Sequence, residues 1–279
     1  MQVVQYPEYR DVRRLRVDVN NTVMGLLVGA HISSKVLELT DGSKRTLGEL
    51  FPEIRHVRRF DMTPKDAKRI LTNSESYIGQ LALPAILAIH EDMIRRSVDA
   101  LKDVTAPALH PTTRFNAKSM HSQFAQLAPG HLADDSMQVY NYVRNSRNKH
   151  VHEGGRADQE FEDDCLLVTG DTQRLWTKIT GTKMRLYSVG DSVDLGLDHV
   201  IASLAVSKRL AEQANAGLQA KLPRQKWLDI IQDDWVTGVH APKGANPAQR
   251  ERKLRGFTRM FYGPLNLTGA EIAAIAAVR

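Results

Sequence analysis

The chain has 279 residues, of which 42% are apolar, and a formal net charge of +6 at pH 7. Its length allows one large domain or two small ones, and its basic balance suits a polyanionic partner as well as a solvated positive face. The lone Cys165 excludes an intramolecular disulfide and a cysteine-rich zinc module, and the most apolar run, residues 78–89, is too short to span a bilayer, so we expect a soluble protein without a membrane partner.

Two patterns near the N-terminus predict β structure. Apolar residues alternate with charged neighbours over Leu15–Val19, as the residues of a half-buried strand do. Residues 35–47 have a hairpin pattern in which Asp41-Gly42 supplies the positive φ angles of a tight turn. We therefore predict a β-rich N-terminal segment over residues 1–62.

The apolar period becomes helical from Thr63 onward. Thr63 is a natural N-cap, Pro64 fits the first helical position, and Asp66 completes a capping-box pattern. Amphipathic segments follow, and the last of them begins near Asp135 and continues into a basic stretch. These patterns predict a central helical region over residues 63–168.

Two glycine-containing breaks predict a β meander over residues 169–190. Gly170-Asp171 and Gly181-Thr182 interrupt short apolar runs, which is the pattern of strands joined by turns. Helical periods return over residues 191–279, with a capping box at Thr268–Glu271. The predicted fold class is therefore α+β, mostly α, with a central helical bundle, an N-terminal β-rich segment and a short β meander.

The basic stretch YVRNSRNKHVHEGG, residues 142–155, has three interpretations, and two of them need no catalysis. Cations in the last turns of a helix, followed by Gly154, are typical of a helix C-terminus. His150 and His152 are potential metal ligands, but side chains two residues apart on a helix point about 200° apart. A third ligand would have to come from Glu153 or from a distant acid, so we predict no metal site here.

The third interpretation of this stretch is RNA cleavage. RNA carries its own nucleophile, the 2′-hydroxyl, so a metal-free ribonuclease needs a cation on the scissile phosphate and a group that transfers a proton near neutral pH. Arg147 is suited to the first role and His152 to the second, and an adjacent amide such as Asn148 can orient either of them.

These three residues resemble the R-x4–6-H motif of the HEPN superfamily, in its form with a polar residue after the arginine. The resemblance covers residues 78–168, and it implies metal-independent RNA cleavage without a cofactor. It also implies that the motif lies at the junction between two successive helices of a bundle. The motif occurs twice, with overlap: Arg147, Asn148 and His152 form one match, and Arg144, Asn145 and His150 form the other.

The resemblance further implies paired protomers whose motifs face a shared cleft. On one continuous helix, Arg147 and His152 would lie about 140° apart. They converge only where the helix breaks between them or where a partner chain completes the site.

A second basic element lies over residues 246–263, and the sequence leaves two interpretations of it. It is either a solvated amphipathic helix or a surface that binds phosphates along nucleic acid without sequence choice. Its apolar stripe consists of Leu254, Phe257 and Phe261. Its basic residues are Arg250, Arg252, Lys253, Arg255 and Arg259.

Two functions follow from these patterns. The first is a HEPN-like endoribonuclease that acts on RNA as a homo-oligomer, a dimer, in the cytoplasm, of the kind met in toxin–antitoxin and phage-defence systems. The second is a non-enzymatic RNA-binding protein, such as a viral nucleocapsid or coat subunit, which would form a larger assembly in the virion. Convergence of Arg147 and His152 in one cleft is the feature that discriminates between them.

Overall fold

The computed structural model describes residues 2–152, 154–238 and 246–278, and in this part of the chain the regular structure is helical. No β-sheet occurs there, and the one β contact is an isolated antiparallel bridge between Arg156 and Ser192. The predicted α+β class is therefore wrong. No helix of the described residues is long and apolar enough to cross a bilayer. The helices are α1 (Pro7–Glu38), α2 (Leu47–Leu50), α3 (Pro64–Thr72), α4 (Ser74–Lys102), α5 (Met120–Leu127), α6 (Asp134–His152), α7 (Gln159–Leu166), α8 (Gly170–Thr180), α9 (Leu197–Lys221), α10 (Arg224–Thr237), α11 (Pro247–Phe261) and α12 (Gly269–Ala277).

The predicted β-rich segment over residues 1–62 is wrong, because most of it is the 32-residue helix α1. Buried residues Val23, Ala30 and Leu37 recur at intervals of seven, which is a helical spacing. A short alternation of apolar and charged residues spans too few positions to reveal that period. Asp41-Gly42 does lie in a turn, with a φ of 84° at the glycine, but no strand flanks it.

The predicted meander over residues 169–190 is also wrong, because this segment contains helix α8. Thr169 caps the helix by accepting the N–H of Thr172, and Gly181 ends it with a φ of 75°. The two glycine-containing breaks are thus the two ends of one helix. Helix ends and tight turns favour the same residue types, since both need side-chain caps or a left-handed backbone.

Two predicted helix starts are confirmed. At α3, the Thr63 hydroxyl accepts the N–H of Asp66 at 3.3 Å, and Pro64 fills the first position. At α12, the N–H of Thr268 donates to the Glu271 carboxylate at 2.7 Å, and the N–H of Glu271 donates to the Thr268 hydroxyl at 3.2 Å. The single cap at α3 and the reciprocal cap at α12 satisfy backbone donors that a helix leaves unpaired.

The chain forms two compact units, each assembled from separate stretches of sequence. The motif stretch lies in the second unit, and the basic helix α11 lies in the first. The first unit comprises Met1–Arg16, Ala88–Gln138 and Val206–Arg279, and the second comprises Val17–Leu87 and Val139–Ala205.

A buried polar network fixes the N-terminal segment within the first unit. Arg10 donates from both terminal guanidinium nitrogens to the Asp234 carboxylate, at 2.9 and 2.7 Å. The Tyr262 hydroxyl donates to the same carboxylate at 2.6 Å, and burial raises the pKa of that hydroxyl. The amide of Asn215 donates to the carbonyl of Val4 at 2.7 Å. These bonds join residues at opposite ends of the chain.

The first unit also contains a buried histidine pair. The Nε2 atoms of His90 and His121 are 2.8 Å apart, and both side chains are buried. Burial, followed by the charge of His121 and that of Arg16, holds the pKa of His90 well below its usual value. His90 is therefore neutral in the folded protein near pH 7.

An aromatic cluster around Tyr142 of α6 forms part of the core of the second unit. The rings of Trp176 and Tyr142 meet edge to face with centroids 5.3 Å apart, and Tyr187 and His199 stack on Tyr142 at 6.4 and 5.9 Å. The Tyr142 hydroxyl donates to the carbonyl of Arg185 at 2.6 Å. The cluster anchors α6 where the motif stretch begins.

Candidate functional site

The motif stretch occupies the last three turns of α6, which ends at His152. The buried residues of these turns are Tyr142, Val143, Ser146 and Lys149. The Ser146 hydroxyl donates to the carbonyl of Tyr142 at 2.8 Å, so this polar group is satisfied inside the helix. The arginine and asparagine side chains of the stretch therefore lie on the sides of α6 that solvent reaches in part.

Arg147, Asn148 and His152, the first motif match, lie at the open end of this helix. Arg147 Nη1 donates to Asn148 Oδ1 at 3.1 Å, whereas Arg147 Nε is buried and has no hydrogen-bond partner among the described residues. Asn148 and His152 are four positions apart, so they are neighbours on one helix face. His152 is exposed. The Arg147 guanidinium thus lies beside an amide one turn before an accessible imidazole.

Helix α6 does not break between Arg147 and His152. The left-handed backbone comes later, at Gly154 and Gly155, with φ values of 66° and 74°. The Cβ directions of Arg147 and His152 therefore stay about 140° apart, and no hydrogen bond joins the two side chains in the part of the chain that the structure describes. The length of the arginine side chain, rather than the backbone, brings its guanidinium to Asn148.

The second match is occupied by contacts within the chain. Arg144 donates from Nε and Nη2 to Asn145 Oδ1, at 3.2 and 3.0 Å. The Asn145 amide donates to Asp164 of α7 at 2.6 Å, and His150 Nδ1 donates to the carbonyl of Val193 at 2.9 Å. These bonds connect α6 with its neighbours and give the second match a structural role.

Lys149 also has a structural role that the motif does not indicate. Its side chain is only 9% exposed, and its Nζ lies 2.6 Å from Asp158 Oδ2. The other oxygen of Asp158 accepts the N–H of Phe161 and so caps α7. One of the cations that make the stretch look basic is therefore neutralised inside the unit.

A row of amides leads along α6 to His152. Asn141, Asn145 and Asn148 precede it at spacings of four, three and four residues, which place all four side chains on one helix face over about 16 Å. Asn141 was not predicted from the sequence, although this spacing is the signal that identifies it. Amides both donate and accept hydrogen bonds, so Asn141 and Asn148 can contact phosphate, sugar and base edges, whereas Asn145 is engaged with Arg144 and Asp164.

Helix α11 directs its apolar residues inward and most of its charges outward. Leu254 and Phe257 are buried in the first unit. The exposed basic side chains are Arg252, Lys253, Arg255 and Arg259.

Two basic residues of α11 are already engaged. Arg255 forms an ion pair with Glu251 at 2.9 Å, and Arg250 is half-buried and donates to the carbonyl of Val278. The other three form no ion pair with any residue that the structure describes. The charge that α11 can offer to a phosphate backbone thus comes mainly from Arg252, Lys253 and Arg259.

Within residues 2–152, 154–238 and 246–278, no group of three or more His, Cys, Asp or Glu side chains lies close enough together to hold a metal ion. Glu153, the nearest third ligand considered for His150 and His152, lies outside the described residues. Comparison with known proteins adds no family to this geometry: no family model, curated protein or solved structure matches the chain.

Proposed function

We propose that this chain is a metal-independent endoribonuclease whose site consists of Arg147, Asn148 and His152. The observation that supports it most is the 3.1 Å bond from Arg147 to Asn148, one helical turn before the exposed His152. It places a phosphate-binding cation, a positioning amide and a proton-transfer group at one helix end. Because α6 does not break between Arg147 and His152, the proposal requires the long arginine side chain to reach around the helix, so that both groups meet one phosphate. The substrate is RNA, because its 2′-hydroxyl supplies the nucleophile.

In the proposed reaction, the 2′-hydroxyl oxygen attacks the adjacent phosphorus, and the bond from phosphorus to the 5′-oxygen of the next nucleotide breaks. The products are a cyclic phosphate and a 5′-hydroxyl. His152 accepts the proton of the attacking hydroxyl, and solvent returns a proton to the leaving oxygen. The planar guanidinium of Arg147 binds the phosphate oxygens, on which negative charge grows as the bonds exchange.

The local contacts favour this match over the overlapping one. His150 already donates to a backbone carbonyl, and the Asp164 carboxylate beside Asn145 would repel a phosphate bound there. The His152 side chain is exposed and forms no hydrogen bond within the described part of the chain. Arg147 has no carboxylate partner there either, so its charge is available to a substrate.

Incubation with labelled RNA in EDTA tests the proposal. The wild-type protein should produce fragments with cyclic-phosphate ends, and His152→Ala should slow cleavage about a hundred- to ten-thousand-fold. RNA binding should remain nearly intact, because affinity comes from many phosphate contacts. Arg147→Lys should recover only part of the activity that Arg147→Ala loses, since an ammonium cannot bind two phosphate oxygens as a planar fork does.

His150→Gln is the matched control, because it changes a histidine of the same stretch whose ring is engaged with the backbone. It should lower stability and leave cleavage close to wild type. Absence of cleavage by the wild type in EDTA, together with equal loss of RNA binding in His152→Ala, Arg147→Ala and Arg147→Lys, would contradict the proposal. That result would support a binding-only protein of the nucleocapsid or coat type.

A further inference from the structure

Helix α1 has two apolar faces, and only one of them is buried. Within the second unit, Val23, Ala30 and Leu37 are buried, whereas five large apolar residues on the other side are 37–59% exposed. Their spacings of seven, four, four and four positions place them along one side of the helix, over about 30 Å. We call this surface the α1 stripe: it consists of Val17, Met24, Val28, Ile32 and Val36.

The shape of the α1 stripe suits a second helix. Gly25 lies within it, and a Cβ added there would have no neighbour within 4 Å, so the glycine leaves a hollow between larger side chains. Beside the stripe is an open groove of about 600 Å³, whose lining includes Val28, Ile32, Lys35 and Leu71. A contiguous apolar surface with a hollow and a groove is a feature of protein-binding faces.

The two charged residues along the α1 stripe indicate which partner fits. Asp18 and Lys35 lie at equal distances from the midpoint between Leu26 and Leu27. In an antiparallel pair of identical helices, Asp18 of each copy is therefore level with Lys35 of the other. In a parallel pair, Lys35 would instead meet a second Lys35, which is unfavourable.

Lys35 is able to make that contact without leaving an acid unpaired. Its Nζ is 3.4 Å from Glu38 Oε1 in the chain, but the same oxygen is also 3.6 Å from the Nζ of Lys68. Lys68 can therefore keep Glu38 neutralised when Lys35 turns toward a partner.

The apolar residues fit the same antiparallel register. The midpoint that relates Asp18 to Lys35 also relates Val17 to Val36 and Gly25 to Val28. The branched side chain of Val28 in one copy would thus meet the hollow at Gly25 in the other. A twofold axis through the midpoint makes both contacts occur twice, as a closed dimer requires.

We propose that two copies of this chain associate through the α1 stripe, with the two helices antiparallel. The surface is distinct from α6 and α11, and the inference does not rest on the proposed ribonuclease activity. It also differs from a pairing through the motif helix.

The mass of the protein in solution, measured by light scattering or sedimentation over a wide range of concentrations, tests the proposal. The wild type should be dimeric at high concentration. The double variant Val28→Glu, Ile32→Glu should be monomeric, because it places carboxylates in an apolar contact. Leu26→Glu is the matched control: Leu26 is 54% exposed on the same helix but lies off the stripe, so this variant should stay dimeric. Circular dichroism should show that all three proteins are folded.

Charge exchange tests the register. Asp18→Lys and Lys35→Asp should each raise the dimer dissociation constant about tenfold or more, because each places like charges opposite one another. The variant that carries both changes should regain most of the lost affinity. A wild type that is monomeric at every concentration, or a dimer that survives Val28→Glu with Ile32→Glu, would overturn the proposal. So would a pair that dissociates when residues of α6 are substituted instead, or a double exchange that fails to restore association.

Discussion

Single residues of the first unit give the protein a defined response to acid. His90 is buried against His121, and burial first, then the charges of His121 and Arg16, lower its pKa in the folded state. The unfolded chain has an ordinary histidine pKa, near 6.5. Below that pH, the unfolded chain takes up a proton that the folded protein does not accept, so the free energy of unfolding falls as the pH falls.

We therefore expect the free energy of unfolding in urea to decrease as the pH is lowered from about 7.5 toward 5. His90→Gln should be less stable than the wild type at pH 7.5 but should show a shallower decrease, because the titrating ring is gone. His131→Gln is the matched control, since His131 is only half-buried and lies outside the pair. If the free energy of unfolding depends on pH with the same slope in His90→Gln and in the wild type, His90 does not control the acid response.

The residues of the candidate site could be predicted from the sequence only in part. Arg147, Asn148 and His152 could be proposed from the sequence because their spacing is local. The sequence could not distinguish the two overlapping motif matches, because the hydrogen bonds that occupy the second match join positions far apart in the chain. Asn145 and its acceptor Asp164 are 19 positions apart, and His150 and its acceptor Val193 are 43 apart.

At the scale of elements, the position of a helix end was easier to predict than whether the segment beside it is a helix or a strand. The caps of α3 and α12 involve side chains only three positions apart, so the sequence contained the whole interaction. The start and end of α8 use equally local signals, but these signals also suit turns between strands. The helical form of α8 allows Trp176 to pack against Tyr142 of α6, and no local sequence pattern contains that contact.

Two helical glycines should respond in opposite ways to the same substitution. A Cβ at Gly217 of α9 would lie 2.8 Å from the ring of Phe124 of α5, which is fully buried. Gly217→Ala should therefore lower the free energy of unfolding by about 1–3 kcal/mol through overpacking. Gly256 of α11 has open space around it, so Gly256→Ala should raise stability by roughly 0.5–1 kcal/mol.

Chemical denaturation of the two alanine variants measures this difference. Because the amino-acid change is the same, the comparison isolates packing from helix propensity. If both variants gain stability, the close approach of α9 to α5 at Gly217 does not exist in solution.

At the scale of the whole molecule, the proposed RNA binding should weaken with salt, because the net charge of +6 favours contacts to phosphates. The variant Arg252→Gln, Arg259→Gln should reduce the slope of log affinity against log salt by about 0.7 for each phosphate that it no longer neutralises. Arg255→Gln should change the slope less, because Glu251 already neutralises Arg255. Fluorescence anisotropy with a labelled single strand measures the slopes. An unchanged slope in the double variant would show that α11 is only a solvated face.

The bond between Arg10 and Asp234 has a consequence for how the protein is made. The two residues are 224 positions apart, so at ribosomal rates Arg10 leaves the ribosome roughly ten to fifty seconds before its partner exists. The last segment of the second unit ends at Ala205, so that unit can close while the nascent chain still lacks Asp234 and Tyr262. During translation, Arg10 and the carbonyl of Val4 therefore lack their partners, and the N-terminal segment is a stretch on which a chaperone has time to act.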